Sequence, residues 1–480
     1  MAKSIKINLI YNIILNIANI VFPIVTAPYI ARVLEPDGVG LYNFAYSTAN
    51  YFALFACLGI PTYGIRIIGA NSLDKKLRDK TFRELFSILV YMTLALTIVY
   101  LFVIFSVPRF HENAIVFLIS GFALYVMPLK IDWFFSGLQQ FGYIAARSII
   151  IKAISILALF ILVSDKDDLV LYVGISAFSI VANEVWNFAK LIRIGVKVHL
   201  VIHGCRQHLK SILILFSSFI ATAIYTSFGT ILLGFFSDYS EVGYYNNASH
   251  VCRIAIPVVT SLATVALPKI AGYIEKGEND EINRLISKSI SLTLFMAFPL
   301  SVILYLISSE FVPLFFGCKF YNSIIPMEIL SSLVLFVGLN NITGIQILVG
   351  MGKDKEFLKS VTISAIISVI VYSILIPIFG SIGAALGTAI AELLILLVTI
   401  YYIKKSTVIS LYIRKEIVTT IVSVLVLIIV FCGLKCILSG WWLIIFGTII
   451  AVFFYIITQA KLGNATTEIA LNIIKKKLHI

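Results

Sequence analysis

Apolar runs of membrane length recur along the whole chain, separated by short polar breaks. A helix crossing the ~30 Å hydrocarbon core of a bilayer needs ~20 such residues. The runs fall near residues 8–31, 41–64, 86–106, 114–134, 148–163, 169–189, 212–236, 242–267, 286–308, 324–349, 360–379, 384–403, 417–437 and 442–460. They predict an all-α polytopic membrane protein with about fourteen transmembrane helices. The first run is preceded only by Lys3 and Lys6 and is too long for the apolar core of a cleavable signal, so it reads as the first span. Pro23 and Pro28 are expected to bend or break that helix near its outer end.

The breaks alternate in chemistry. Even-numbered runs are followed by basic loops: Lys75, Lys76, Arg78, Lys80 and Arg83, then Lys190, Arg193, Lys197, Arg206 and Lys210, and later Lys353, Lys355 and Lys359, then Lys404, Lys405, Arg414 and Lys415. Odd-numbered runs end in acidic or neutral breaks such as Asp165 to Asp168, Asp238 to Glu241 and Gly380 to Gly383. Lys and Arg in short loops set orientation, so the basic loops and both termini are predicted to be cytoplasmic. No loop is long enough to fold as an extramembrane domain.

Composition sharpens this picture. Sixty per cent of the 480 residues are hydrophobic and 13% charged, against roughly 25% charged in soluble domains, which excludes an ordinary soluble globule. The net charge of +13 would suggest nucleic acid in a soluble protein, but here the loop bias accounts for it and no nucleic-acid partner is expected. Six scattered cysteines form no disulfide framework. Cys432 and Cys436 share a helix face, but no histidine or second cysteine pair completes a metal site.

An internal repeat is visible. Gly38-Val39-Gly40-Leu41-Tyr42-Asn43-Phe44-Ala45 opens the second run, and Glu241-Val242-Gly243-Tyr244-Tyr245-Asn246-Asn247-Ala248 opens the eighth, 203 residues later, with five of eight positions identical. Six spans separate the copies, so the two halves share one orientation, as in transporters built from parallel repeats. The predicted divisions are a six-helix bundle over 1–211, a second over 212–415, and two extra spans with a tail over 416–480. Phosphate-loop, zinc-protease and nucleophile-elbow motifs are all missing, so neither an enzyme nor a cofactor is expected.

Polar side chains within spans carry the chemistry, since each costs ~2.5–3.5 kcal/mol or more at a helix centre on insertion scales. Arg253 lies about eleven residues into the eighth run, with His250 three residues earlier on the same face. A cation there either binds an anionic substrate headgroup or is held by a structural carboxylate. The carboxylates at hand are Glu392, Glu184 and Asp132, with Glu328 reading as an interfacial group. Glu184 and Glu392 fall on corresponding helices of the two repeats. A buried carboxylate of this kind either carries a coupling proton or serves as a structural partner. Asn8, Asn12, Asn16 and Asn19 share one face of the first span, as a wall for sugar hydroxyls or as interhelical glue. Arg32, Arg66, Lys130 and Arg147 lie near span ends, where they either snorkel to headgroups or grip phosphate.

Several segments together resemble a known family. Pro28-Tyr29-Ile30-Ala31-Arg32-Val33-Leu34 with Gly38-Val39-Gly40-Leu41-Tyr42, then Leu58-Gly59-Ile60 with Tyr63-Gly64-Ile65-Arg66, resemble the first-loop and second-span signatures of Wzx-type O-antigen and capsule repeat-unit flippases. Asp132-Trp133-Phe134-Phe135-Ser136-Gly137-Leu138, Val242-Gly243-Tyr244-Tyr245 and Pro268-Lys269-Ile270 extend the likeness over most of the first twelve spans. Two positions depart from the pattern: Glu35 stands where a glycine is usual, and Gln139 where a glutamate often follows.

The resemblance implies membership in the multidrug/oligosaccharidyl-lipid/polysaccharide exporter superfamily, in a bacterial cytoplasmic membrane. Its implied cargo is an undecaprenyl-pyrophosphate-linked oligosaccharide for O-antigen, lipopolysaccharide, capsule or exopolysaccharide, moved between leaflets by alternating access. Implied partners are that glycolipid, membrane lipid, a polysaccharide polymerase and a chain-length regulator. On this reading Arg253, with Arg32, Arg66, Lys130 and Arg147, neutralises the pyrophosphate, while His250 and the asparagines line the path. Glu392, Glu184 or Asp132 couple transport to an ion gradient. The rivals are a lipid II flippase, a multidrug or cation exporter with an acidic lumen, and a membrane polymerase, which the short outer loops disfavour.

Overall fold

An apolar segment in lipid must satisfy its backbone N–H and C=O groups internally, and every regular element among the described residues is helical. The computed structural model describes residues 5–276, 278–406, 414–464 and 467. The helices run in the order α1 (Ile5–Cys57), α2 (Ile60–Ala70), α3 (Lys75–Ser106), α4 (Pro108–His111), α5 (Ala114–Ser120), α6 (Phe122–Tyr125), α7 (Asp132–Gly137), α8 (Phe141–Leu162) and α9 (Leu169–Arg193). There follow α10 (Cys205–Phe236), α11 (Tyr239–Lys276), α12 (Asn279–Phe316), α13 (Ile324–Leu330), α14 (Leu333–Asn340), α15 (Asp354–Ser406), α16 (Arg414–Lys435), α17 (Gly440–Trp442) and α18 (Thr448–Lys461). The chain divides into two compact units, Met1–Gly243 and Tyr244–Ile480.

The protein is all-α and polytopic. Among the described residues nine segments are long and apolar enough to cross a membrane, where the sequence pattern predicts about fourteen spans. Two structural features bear on the difference. Two of the nine, Ile13–Ala70 and Asp354–Ser406, are 58 and 53 residues long, and a helix of that length would extend ~80 Å, more than twice the hydrocarbon thickness. Each contains an interior break. The expected fourth span, 114–134, is divided into the short α5 and α6, a 3-10 turn at Met127–Leu129, and the start of α7. The expected seventh and eighth spans include residues whose side chains lie outside the described set.

The interior breaks have identifiable causes. In α1 the non-helical residue is Glu35, with φ 58° and ψ 178°. Pro36 follows it, and a proline disfavours the helical conformation of the residue before it. That φ/ψ region is nearly confined to glycine and costs other residues ~1–3 kcal/mol. In α15 the break is at Gly380, φ 53° and ψ −126°, three residues after Pro377. Glu35→Gly is therefore expected to stabilise the protein by about 1 kcal/mol. A rise in apparent melting temperature in detergent checks this, and a fall contradicts it.

In the first unit, Phe44 sits at 0% exposure, edge-to-face with Phe117 and Phe235 and tilted against Phe110. Arg109 closes the C-terminal end of α10. Its Nε donates to the Gly234 carbonyl at 3.1 Å and its Nη2 to the Ser237 carbonyl at 2.7 Å, with its guanidinium 4.3 Å from the Tyr239 ring centre. The starts of the two repeated segments meet in this unit, residues 36–40 against 239–243. A Cβ on Gly40 would lie 1.6 Å from the Tyr239 carbonyl oxygen, and one on Gly243 would lie 2.4 Å from the Pro36 carbonyl oxygen.

In the second unit, Ile270, Ile282, Ile286, Ile290, Ile342, Ile347, Leu348 and Ile403 form a buried cluster. There α14 continues as a π-helix over Asn341–Val349. α16 and α18 pack together and are tied by a buried polar contact, Gln459 Nε2 donating to Thr420 Oγ1 at 3.3 Å, while within α18 the same amide donates to the Tyr455 hydroxyl at 3.0 Å.

Candidate functional site

The first unit holds a charged cluster built by α7, α8 and α9. Asp132 opens α7, where a carboxylate is favoured by the helix dipole. The chain then reverses at Gln139, which has φ 57°, so that α8 carries Arg147 back to Asp132. Arg147 Nη2 donates to Asp132 Oδ1 at 2.8 Å, and Asn187 Nδ2 of α9 donates to the same oxygen at 2.9 Å. The arginine side chain is 2% exposed and the carboxylate 37%, so the cation bears the larger desolvation cost. Its Nε and Nη1, with Glu184 Oε2 and Asn187 Oδ1, are buried polar atoms without a hydrogen-bond partner. Lys130 lies exposed just before the cluster, and Glu184 is buried within electrostatic reach of Lys130, Asp132 and Arg147.

A second buried network joins α2, α3 and α10. His208 Nε2 lies 2.9 Å from Glu84 Oε2, its Nδ1 lies 2.8 Å from the Tyr63 hydroxyl, and Gln207 Nε2 donates to Glu84 Oε2 at 3.0 Å. Every member of this network has a partner, which marks it as a clasp on the start of α10. Trp133 seats on Gly64, where an added Cβ would lie 2.4 Å from the indole. Two of the segments behind the family resemblance therefore pack against each other.

In the second unit Arg253 is half-buried on α11. Its Nε donates to Ser249 Oγ at 3.1 Å, and it lies within electrostatic reach of Glu392. Glu392 is buried and accepts from Asn340 Nδ2 at 2.7 Å, the same amide that reaches the Glu392 carbonyl at 2.9 Å. Close by in the fold of this unit, Thr399 Oγ1 donates to Thr343 Oγ1 at 2.9 Å, and both amide atoms of Gln346 are buried without a partner. Thr343 and Gln346 belong to the π-helix, a form that recurs at functional sites. Glu328 accepts from Ser308 Oγ at 3.0 Å.

The remaining sequence candidates are placed as follows. Arg32 and Arg66 are exposed, Arg66 with its guanidinium 5.6 Å from the Tyr63 ring centre. His250 is exposed on α11. Asn16 and Asn19 are exposed, and Asn19 accepts a hydrogen bond from Lys152. Asn8 and Asn12 lie outside the described side chains. Among the described residues no cluster of metal-ligand type occurs, and the six cysteines are free thiols.

Sequence reasoning missed Asn187, Lys190, Glu84, His208 and Asn340. A signal was present for the first two: Glu184, Asn187 and Lys190 recur at spacing 3 on one face of α9. Glu84 and His208 are 124 residues apart and offered none.

A family model described as "Polysaccharide biosynthesis protein" matches residues 5–274. A putative O-antigen transporter of Escherichia coli is 26% identical over 419 residues, covering 84% of this chain and 97% of that one. A probable low-salt glycan biosynthesis flippase of Haloferax volcanii is 26% identical over 167 residues, 35% of either chain. Among solved structures, a lipid II flippase in an inward closed conformation shares the fold at a TM-score of 0.77 with 16% identity, over 98% of this chain and 100% of that one.

Proposed function

The chain belongs to the polysaccharide biosynthesis protein family, and from that premise we propose that it is a flippase for a lipid-linked oligosaccharide. The cargo is an undecaprenyl-pyrophosphate-linked repeat unit of O-antigen, capsule or exopolysaccharide, carried from the inner to the outer leaflet by alternating access. The observation that supports this cargo is the likeness to a putative O-antigen transporter along almost that protein's whole length. The role is transport rather than catalysis. In this reading the two long helices broken at Glu35 and Gly380 each hold two crossings. The full count is about fourteen, as two six-helix halves with two appended spans. The membrane is the bacterial cytoplasmic one, with both termini inside.

Arg253 is assigned to the pyrophosphate, because a half-buried guanidinium in an apolar helix can offer paired N–H donors to phosphate oxygens. Arg147, Lys130, Arg66 and Arg32 supply cationic character in the first unit. Glu392 and Glu184, both buried, are the candidate coupling groups. Collapsing both the proton and sodium gradients is expected to stop transport, and transport unchanged by that treatment rules coupling out.

A second reading takes lipid II as the cargo, and in its favour stands the fold shared along the whole chain with a lipid II flippase. The intermediate retained by a deletion strain separates the two. A lipid-linked repeat unit held in the inner leaflet supports the first reading, and lipid II held there, with rescue of a strain depleted of lipid II flipping, supports the second. Retention of neither contradicts both.

A further inference from the structure

At the charged end of the α8–α9 hairpin lies a cavity of about 680 Å³, lined by Tyr143, Val185, Trp186, Lys190 and Arg193 together with two alanines. Its charge is one-sided. Lys190 and Arg193 share a face of the last turn of α9 at spacing 3, and no carboxylate lines the cavity among the described residues. Behind it stands Arg147, whose guanidinium is 5.6 Å from the Tyr143 ring centre.

Basic residues at a helix C-terminus ordinarily satisfy the helix dipole or extend to water. Lys190 in addition folds across the cavity onto α8, its ammonium 3.3 Å from the Tyr143 ring centre. Away from the charged end the walls turn apolar and stay uncovered. On α8, Ile150, Ile154, Leu157 and Ile161 recur at 4, 3 and 4 and are 45% to 75% exposed. On α9, Phe178 and Val185 are exposed on a common face. In a membrane protein such faces meet hydrocarbon. Trp186 and Tyr143 stand where the apolar track meets the cations, the level at which such rings sit in a bilayer interface.

We propose that this groove is a binding site for an anionic phospholipid of the surrounding bilayer. The phosphate group sits between Lys190 and Arg193, and an acyl chain lies along the exposed track of α8. Basic pockets between transmembrane helices are suited to such headgroups, and two cations at this spacing match one phosphodiester with its polar substituent. The occupant is a component of the membrane and not the cargo.

The test uses the full-length protein in nanodiscs of phosphatidylcholine containing brominated phosphatidylglycerol or, separately, brominated phosphatidylcholine at equal bromine content. The chain has four tryptophans, so the Trp186 signal is taken as the difference between wild type and W186F. Quenching of that signal is expected to be about fivefold more efficient with the anionic lipid, and K190Q/R193Q is expected to remove the preference. Should the double variant fold poorly, R193Q alone, at an exposed position, is expected to halve the preference or more. Equal quenching by the two lipids in the wild type overturns the proposal, as does a preference that survives K190Q/R193Q. Loss of the preference on adding one mole per cent of undecaprenyl pyrophosphate also overturns it, because the groove would then belong to the cargo. Transport does not enter the readout, so this result and the flippase reading stand or fall separately.

Discussion

Replacing Asp132 by alanine is expected to destabilise the protein far more than replacing Arg147 by methionine, although the two side chains form one ion pair. The reason is their unequal burial, 37% and 2% exposed. Removing the carboxylate leaves a buried guanidinium without its ion-pair partner, with Glu184 in electrostatic reach but not hydrogen-bonded to it, and breaking buried pairs in this way costs ~3–5 kcal/mol. The partial exposure of Asp132 places the expected loss near the lower end, about 3 kcal/mol. Arg147→Met fills similar volume with an apolar chain and leaves a carboxylate that water and Asn187 can still solvate, so a loss under about 1 kcal/mol is expected. Apparent melting temperatures in detergent, with Asp132→Asn as a third variant, decide the matter. Asp132→Asn should fall between the two, since an amide restores a hydrogen-bond acceptor without the charge. Equal losses for Asp132→Ala and Arg147→Met would contradict the assignment of the desolvation cost to the arginine.

Enlarging either glycine of the repeated motif is expected to have a comparable or larger effect. Gly40 stands against the Tyr239 carbonyl and Gly243 against the Pro36 carbonyl. Tyr239 occupies in the second copy the place that Pro36 occupies in the first, 203 residues apart like the glycines themselves. Each glycine therefore admits the backbone of the other copy, a close approach that small residues allow between membrane helices. At 1.6 Å and 2.4 Å from main-chain oxygens a Cβ has no room, and no side-chain rotation relieves it. Gly40→Leu and Gly243→Leu are each expected to cost more than about 3 kcal/mol and to lower the yield of monodisperse protein. Because they damage the same crossing, the double variant should lose clearly less than the sum. Gly174→Ala, on α9 with no atom within 4 Å of the added carbon, serves as the control and should be neutral or stabilising by up to about 1 kcal/mol. Additive losses at Gly40 and Gly243 would show that the two copies do not share one contact.

The hydrophobic pattern made the helical class and the nine membrane-length segments found among the described residues legible, because apolar length is itself the physical requirement of the bilayer. It also marked the repeat, whose meaning as a paired glycine crossing needs the distances at Gly40 and Gly243. What it left hidden depends on chain reversals too local to register as periodicity. The turn through Gln139, with its positive φ, brings Arg147 to Asp132 across 15 residues, and a straight reading of the same stretch puts Arg147 at a lipid headgroup. The Glu84–His208 contact spans 124 residues and belongs to the packing of α3 on α10, which no spacing rule encodes. The division of 114–134 into short helices follows tight turns at Gly121 and before Pro128, where apolar character is uninterrupted. Of the candidate residues, Arg253 and Glu392 were accessible from sequence alone because an ionisable group inside an apolar helix is costly enough to be conspicuous.

The most direct measurement reconstitutes the purified protein in liposomes that carry an undecaprenyl-pyrophosphate-linked oligosaccharide in one leaflet, and follows its exposure in the other with a membrane-impermeant glycosidase. Protein-dependent exposure in the wild type, lost in an Arg253→Ala protein that inserts and folds normally, is the expected result. Wild-type vesicles that expose no more oligosaccharide than protein-free vesicles would contradict the flippase assignment. Normal flipping by Arg253→Ala would remove that arginine from its central role.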